Sequence, residues 1–190
     1  MWTASTSSLA FGRSGNFYAT PSVAYGRVFV GNTDGRMYSF AASSGKLAWR
    51  QSTGNYVYSA AAVGRPAGMN PTVFVGSYDG DFYALDARSG NTVWRYNSGG
   101  KISGAPTIVG HIVYFSNLAS KSTIGLNVKN GHPVFRSPHG AFNPVISDGK
   151  RLYLTGYSSE FAFVPKKAAQ AASAKNPVPK ARAQGQAKSK

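Results

Sequence analysis

The sequence has no cysteine and only six acidic residues among its 190 positions. The acids are Asp34, Asp79, Asp81, Asp86, Asp148 and Glu160. Without cysteine, the chain has no disulfide, no thiolate metal site and no cysteine nucleophile. It also has no apolar run of the roughly 18 residues that a membrane-spanning helix needs. These absences exclude several classes of protein before any motif is considered.

The N-terminal residues do not resemble a secretory signal. They have neither a basic start nor an apolar segment of about 7–15 residues, and Ser and Thr are frequent among them. We therefore expect either a cytoplasmic protein or one whose targeting segment lies upstream of Met1.

Positive charge dominates the composition, because 21 Lys and Arg against six acids give a net charge of +15. Residues 166–190 hold seven of those basic residues and no acidic or aromatic residue. Such a segment buries too little apolar surface to offset the entropy cost of ordering it. We predict a disordered basic tail from about Pro165, which either makes nonspecific contacts with anions or nucleic acid or only increases solubility. The preceding residues, 14 basic and six acidic, keep a net charge of +8.

An internal repeat organises the rest of the chain. Residues 28–40 match residues 73–85, and residues 44–50 match residues 89–95 with the same offset of 45. A weaker third copy places Gly131 and Phe135 at an offset of 41 from the preceding copy. A fourth copy begins near Phe142 and stops where the basic tail begins.

Each copy consists of short period-2 runs separated by Gly, Asn, Asp and Ser, which is typical of antiparallel hairpins. In the second copy the pattern predicts four strands: Ser59–Val63, Thr72–Tyr78, Asp81–Ala87 and Asn91–Asn97. Four short strands in a unit of about 40–45 residues indicate an all-β fold of β-propeller blades. We predict repeats in residues 1–165, at about 16–55, 56–100, 101–141 and 142–165, followed by the tail at 166–190.

Particular residues have predicted roles in this repeat. Asp34-Gly35 and Asp79-Gly80 favour tight hairpins, and a second set of glycines favours the turn between the third and fourth strands. Asp86 is expected to accept backbone N–H groups across that turn, and the Trp of the fourth strand is expected to pack on the next blade. The predicted docking residues are Gly45, Trp49, Asp86, Gly90, Trp94, Gly131 and Phe135.

Residues 84–94 resemble the Ala-x-Asp-x-x-x-Gly-x-x-x-Trp docking motif of PQQ-like (pyrroloquinoline quinone-like) repeat propellers. That family includes quinoprotein alcohol dehydrogenases and the lipoprotein of the outer-membrane-protein assembly machine. The resemblance implies a β-propeller and an extracytoplasmic or cell-envelope location. Ala41 replaces the motif Asp in the first copy, and Asn127 and Phe135 replace the Asp and Trp in the third.

The two ends of the repeat region are incomplete copies. Residues 8–11 align with residues 46–49, so the chain is expected to open with the last strand of a preceding blade and to end with the first three strands of another. Since members of the family usually have seven or eight blades, three assemblies stay open. They are a fragment of a larger propeller, a closed four-bladed ring and a homodimer with eight blades.

The residues do not predict catalysis. Asp79-Gly80-Asp81 is interpreted as a turn and not a cation site, because the first copy has Arg36 at the corresponding position. His111, His132 and His139 lack metal-ligand spacing, and the sequence contains neither a phosphate-binding loop nor a nucleophile elbow. The resemblance to quinoprotein dehydrogenases implies a Ca²⁺ ion, an acidic base and adjacent cysteines, which this sequence does not supply. We predict no catalytic residue, cofactor or metal.

Several residues precede the first strand of their copies, where propeller loops surround the central channel: Tyr18, Tyr56, Tyr58, Phe142 and Asn143. Aromatic residues in such loops form either recognition surfaces or packing between blades. The sequence favours a non-catalytic binding or scaffolding module for a protein partner or an anionic envelope polymer. Two alternatives are a partial or degenerate quinoprotein dehydrogenase and a sensor domain of a larger receptor or kinase.

Overall fold

The computed structural model describes residues 1–4, 15–142 and 145–164. These residues contain four antiparallel sheets, three of four strands and one of three, which we name blades A to D. Blade A contains β1 (Ser22–Ala24), β2 (Arg27–Asn32), β3 (Arg36–Ala41) and β4 (Leu47–Ser52). Blade B contains β5 (Ala62–Gly64), β6 (Thr72–Gly76), β7 (Asp81–Asp86) and β8 (Thr92–Asn97). Blade C contains β9 (Thr107–Val109), β10 (Ile112–Asn117), β11 (Ser122–Asn127) and β12 (Pro133–Ser137). Blade D contains β13 (Ile146–Ser147), β14 (Leu152–Thr155) and β15 (Glu160–Phe163).

In every blade each strand pairs with the next strand in the sequence. The predicted all-β propeller fold is therefore confirmed, and blade D has the three strands that the shortened fourth copy predicts. Within the described ranges there is no helix, and hence none long and apolar enough to cross a membrane. Residues 8–11 and the predicted tail lie outside the described residues.

The first strand of the second copy begins three residues later than predicted. The first strand was expected at Ser59–Val63, but β5 spans Ala62–Gly64. Ser59 is fully buried, and its hydroxyl donates to the carbonyl oxygen of Gly104, in the loop that enters blade C, at 2.9 Å. This contact between blades holds the residues before Ala62 in a loop, where no ladder pairing forms.

The hydrophobic core lies between consecutive blades because successive side chains of a strand point to opposite faces. In β6, Val73 and Val75 face a cluster shared with blade A, whereas Phe74 faces a cluster shared with blade C. A further cluster joins Tyr114 of blade C to Leu154 of blade D. Among the described residues, no such cluster joins blade D to blade A.

The meander places the loops at two opposite edges of each blade. Since neighbouring strands are antiparallel, the loop before a first strand and the loop from the second to the third strand lie at one edge, which we call the upper edge. The loops that join the first to the second strand and the third to the fourth strand lie at the other, the lower edge. Of the predicted recognition residues, Tyr18, Tyr56, Tyr58 and Phe142 belong to the upper edge, and the predicted docking glycines belong to the lower edge.

Candidate functional site

Trp49 joins blade A to blade B at the lower edge. Its indole Nε1 donates to the carbonyl oxygen of Ala87 at 3.0 Å, and the side chain is buried. The indole lies over Gly90, where an added Cβ would come within 2.7 Å of Trp49 Cδ2. Gly90 also has a φ of 80°, so both its backbone conformation and the close approach of the ring require glycine.

Trp94 makes the same contact one blade further along. Its Nε1 donates to the carbonyl oxygen of Val128 at 2.9 Å, and its ring covers Gly131, which has a φ of 71°. Phe135 has the corresponding position in blade C, but its side chain has no N–H group to donate. Its ring instead packs edge-on against Tyr114, with the centroids 5.5 Å apart.

Trp2 is a third tryptophan of this kind, which was not predicted from the sequence. Its Nε1 donates to the carbonyl oxygen of Ala42 at 2.9 Å, and its ring lies against Gly45, which has a φ of 69°. Trp2 thus occupies on blade A the position that Trp49 occupies on blade B. The spacing of 47 from Trp2 to Trp49, close to the repeat offset of 45, is the sequence signal that could have identified it. Phe11, which the alignment placed there, lies outside the described residues.

Asp86 stabilises the lower-edge turn of blade B. Its Oδ1 accepts the backbone N–H groups of Arg88 at 3.0 Å and Ser89 at 2.8 Å, and its Oδ2 accepts a hydrogen bond from the amide of Asn70. Partial burial opposes ionisation of Asp86, but hydrogen bonds from Ser89, Asn70 and Arg88 outweigh it and lower the pKa of the carboxyl group. This carboxylate therefore has a structural role.

At the upper edge of blade A, Asp34 is held by its own hairpin. Its Oδ2 accepts hydrogen bonds from the hydroxyl of Tyr38 at 2.5 Å and from Arg36 Nη1 at 3.1 Å. Its Oδ1 accepts the backbone N–H of Arg36. Burial of the phenol raises the pKa of Tyr38, and its hydrogen bond to Asp34 is the second largest cause of the increase.

Asp79 has the corresponding position in blade B and also contacts the loop between blades A and B. The backbone N–H of Gly54, in the loop from blade A to blade B, donates to Asp79 Oδ2 at 2.7 Å. The hydroxyl of Tyr83 donates to the same oxygen at 2.7 Å, and the backbone N–H of Asp81 donates to Oδ1. Burial of the phenol raises the pKa of Tyr83, and its hydrogen bond to Asp79 is the second largest cause of the increase. Asp79 therefore links two blades as well as closing its hairpin.

Next to these carboxylates, four tyrosines form a contiguous surface that we call the tyrosine cluster: Tyr18, Tyr56, Tyr58 and Tyr78. Tyr58 is central, since its ring centroid lies 5.9 Å from that of Tyr18, 5.7 Å from that of Tyr56 and 4.8 Å from that of Tyr78. Lys101, from the loop that enters blade C, places its Nζ 5.3 Å from the centroid of the Tyr78 ring. Three separate upper-edge loops and the β6–β7 hairpin thus meet at one place.

The cluster is accessible, with Tyr18 68% and Tyr56 41% exposed. Tyr78 was not predicted, because the β6–β7 hairpin was interpreted only as a turn. Of the other predicted residues, Phe142 is 56% exposed and has no ring contact with the cluster among the described residues, and Asn143 lies outside them. The structure therefore brings together three of the five predicted recognition residues.

The comparisons with known proteins agree with this architecture. The family model described as outer membrane protein assembly factor BamB matches residues 58–157. The solved structure of BamB from Moraxella catarrhalis is 20% identical with a TM-score of 0.65, over 78% of this chain and 46% of that chain. A quinohemoprotein alcohol dehydrogenase from Pseudomonas putida is 19% identical with a TM-score of 0.62, over 74% of this chain and 28% of that chain. The computationally designed Ika4 protein is 14% identical with a TM-score of 0.67, over 81% of this chain and 94% of that chain.

At these identities the structural matches show the fold alone. This chain spans about half the length of the Moraxella catarrhalis BamB chain, with 46% covered, and 28% of the dehydrogenase chain. No curated protein matches the sequence significantly.

The likeness to a quinohemoprotein raises the question of whether the residues present fit a quinone with its Ca²⁺ ion. Five of the six carboxylates already accept hydrogen bonds within the fold: Asp34, Asp79, Asp81, Asp86 and Asp148. The sixth, Glu160, is exposed on β15. Throughout the described part of the chain, no three His, Cys, Asp or Glu side chains are grouped so as to hold a metal ion. The donor set of the described residues does not fit such a centre.

Proposed function

Because the chain belongs to the PQQ-like repeat propeller family of the outer membrane protein assembly factor BamB, we propose that it is a non-catalytic scaffold that binds a protein partner. The family model is described as an outer membrane protein assembly factor, and this description supports a protein partner. We place the action of this chain at the bacterial envelope, as the family description suggests. The contact surface in this proposal is the tyrosine cluster.

The observation that carries the proposal is the convergence of four tyrosines whose hydroxyl groups have no hydrogen-bond partner among the described residues. Elsewhere in the protein, buried tyrosine hydroxyls such as those of Tyr38 and Tyr83 are bound to carboxylates. In the described residues, the hydroxyls of the tyrosine cluster have no such partner. Tyrosine offers a large rigid contact area at low entropy cost, with a hydroxyl that can donate or accept a hydrogen bond.

The charge around the cluster favours an acidic partner surface. Asp79 and Asp81 are the carboxylates closest along the chain to the cluster, and both are occupied. Asp79 accepts hydrogen bonds from Gly54 and Tyr83, and Asp81 accepts one from the amide of Asn97 and pairs with Arg95. Lys101 remains exposed beside Tyr78. A patch with a free ammonium group and no free carboxylate attracts anionic groups and disfavours cationic ones.

The same hydrogen bonds support a non-catalytic role. A general acid or base needs a carboxyl group that can reach a substrate. Asp79 instead joins the loop from blade A to the hairpin of blade B, and Asp86 closes a turn at the lower edge. Their bonding partners are parts of the fold.

Site-specific photocrosslinking in cells tests the proposal. A photoreactive phenylalanine analogue is placed at Tyr18 of the full chain, and a matched control carries it at Tyr25, which is 54% exposed at the lower edge. We expect a discrete protein adduct from position 18 and none from position 25. Adding Tyr58→Ala and Lys101→Gln together should reduce the adduct at least tenfold with the melting temperature unchanged within a few degrees.

Two results would overturn the proposal. The first is the same set of adducts from positions 18 and 25, which would show random collision. The second is an adduct with a non-protein envelope polymer, which would identify a different class of partner.

A further inference from the structure

A second feature of the upper edge lies between blades C and D, away from the tyrosine cluster. It is a cleft of about 330 Å³ formed by the β10–β11 hairpin, the loop after β12 and the β14–β15 loop. Its lining residues are Lys121, Pro138, His139, Gly140, Gly156, Tyr157, Ser158, Ser159 and Phe161. None of these residues has a role in the function proposed above.

Lys121 has a backbone conformation that its side chain disfavours. Its φ is 48°, in the left-handed region. The residues at the same point of the hairpins in blades A and B, each immediately before the third strand, are Gly35 with a φ of 83° and Gly80 with a φ of 94°. Glycine adopts such angles without steric cost, whereas lysine does not. Strained residues of this kind are concentrated at functional sites.

Ring contacts hold both basic side chains of the cleft. The Nζ of Lys121 lies 4.8 Å from the centroid of the Tyr157 ring, across the gap between the two blades. The imidazole of His139 stacks on Phe161 with the centroids 4.1 Å apart and the planes at 15°. The cation–π contact and the stacking place two nitrogen-bearing groups on the walls of one cleft.

The carboxylate that the other hairpins carry is missing at this position. Two residues before the third strand, blades A and B have Asp34 and Asp79, whereas blade C has Ser120 and blade D has Ser158. None of the described residues that line the cleft is acidic. Glu160, the first residue of β15, lies between the lining residues Ser159 and Phe161. Because successive side chains of a strand point to opposite faces, Glu160 faces away from Phe161.

We infer that this cleft binds the oxyanion group of a small ligand, either a carboxylate or a phosphate. The ammonium group of Lys121, a ring N–H of His139 and the hydroxyls of Ser158 and Ser159 supply donors and positive charge at one place. Ligand binding then explains why residue 121 is a lysine although its backbone conformation favours glycine. The ammonium group has no ion-pair partner among the described residues, so an incoming anion displaces no carboxylate.

Titration of the isotope-labelled full chain tests the inference by NMR, with inorganic phosphate in one arm and citrate in the other. We expect at least one anion to shift the signals of Tyr157 and His139 in the wild type. Lys121→Gly should weaken that binding at least tenfold and at the same time raise the melting temperature, because it removes the left-handed strain. A purely structural lysine would give the rise in melting temperature without any change in affinity.

Lys129→Gln is the matched control, because it removes one positive charge from the lower edge of blade C, outside the cleft. It should change the affinity less than twofold. Lys121→Asn, a neutral residue that tolerates the left-handed region, should behave as Lys121→Gly does. A response to phosphate alone or to citrate alone supports the site and identifies the source of the oxyanion. Equal affinities for the wild type and both Lys121 variants, or unshifted Tyr157 and His139 signals with both anions, would overturn the inference.

Discussion

At the scale of single residues, the contacts between blades repeat one combination, a tryptophan N–H bound to a carbonyl oxygen and an indole ring over a glycine. Trp2, Trp49 and Trp94 make it on three successive blades. The contact at Trp49 is the most buried, with the side chain 8% exposed, whereas Trp2 is 38% exposed. The hydrogen bond from the indole N–H to the carbonyl oxygen should therefore contribute more to stability at Trp49 than at Trp2.

Trp49→Phe should destabilise the protein by about 1–3 kcal/mol, because it leaves the buried carbonyl oxygen of Ala87 without its donor. Urea unfolding followed by far-UV circular dichroism measures the change. The matched variant Trp2→Phe should cost less than about 1 kcal/mol, since water can replace the donor at an exposed site. Equal losses for the two variants would contradict this account of the docking contact.

The glycine under the ring gives a second prediction at this scale. Gly90 and Gly99 have similar φ values, 80° and 75°, but of the two only Gly90 has a described ring against it. No atom of the described residues lies within 4 Å of a Cβ added at Gly99. Gly90→Ala should therefore cost about 1–3 kcal/mol more than Gly99→Ala, because Trp49 must move. Thermal unfolding of both variants provides the measurement. Identical melting temperatures would show that the backbone angle alone matters.

Tyr83 gives a pH-dependent prediction. Burial of its phenol and then its hydrogen bond to Asp79 raise its pKa in the folded state above the ordinary value of 10.0. The unfolded state therefore loses this proton first as the pH rises, so the associated stability is complete below about pH 10 and decreases above it. Tyr83→Phe should flatten the decrease of unfolding free energy above about pH 10 in urea titrations. An unchanged slope would mean that this phenol does not contribute.

At the scale of elements, the sequence predicts most strands because their turns have local chemistry. The Asp-Gly hairpins and period-2 runs placed β6, β7 and β8 within two residues of their observed bounds. The first strand, β5, was misplaced because the residues before it are held by a hydrogen bond from Ser59 to Gly104, 45 residues away. Contacts between blades of this kind leave no periodic signal.

The tyrosine cluster shows the same limit at the candidate site. The position of Tyr56 and Tyr58 before a first strand was sufficient to assign them to an upper-edge loop. Tyr78 joins them only because the hairpin of blade B folds against the preceding loop, where the backbone N–H of Tyr78 donates to the carbonyl oxygen of Tyr56 at 2.9 Å. Lys121 was not predicted for a related reason, because the left-handed φ of this residue cannot be deduced from a lysine in the sequence.

At the scale of the whole molecule, the blades differ in how many neighbours they have. Blade B is packed on both faces, against blade A through Val73 and Val75 and against blade C through Phe74. Among the described residues, blade D packs through one cluster with blade C and has three strands. In repeat proteins, local stability follows the sum of each unit and its nearest-neighbour interfaces. Hydrogen exchange measured by mass spectrometry should therefore be slowest in β6 and β7 and fastest in β14 and β15.

Two core truncations separate this nearest-neighbour account from a single cooperative unit. Phe82 is fully buried in blade B and stacks on Phe115 of blade C at 4.2 Å, so Phe82→Ala should cost about 3–5 kcal/mol and speed exchange in both blades. Leu154 is buried between blades C and D, and Leu154→Ala should cost about 2–5 kcal/mol but speed exchange chiefly in blade D. If Leu154→Ala speeds exchange in blade B as much as in blade D, the blades unfold as one unit. Unequal effects would instead show that the interfaces between neighbours set the order of opening, because each propeller blade is stabilised by the surface that it buries on the next.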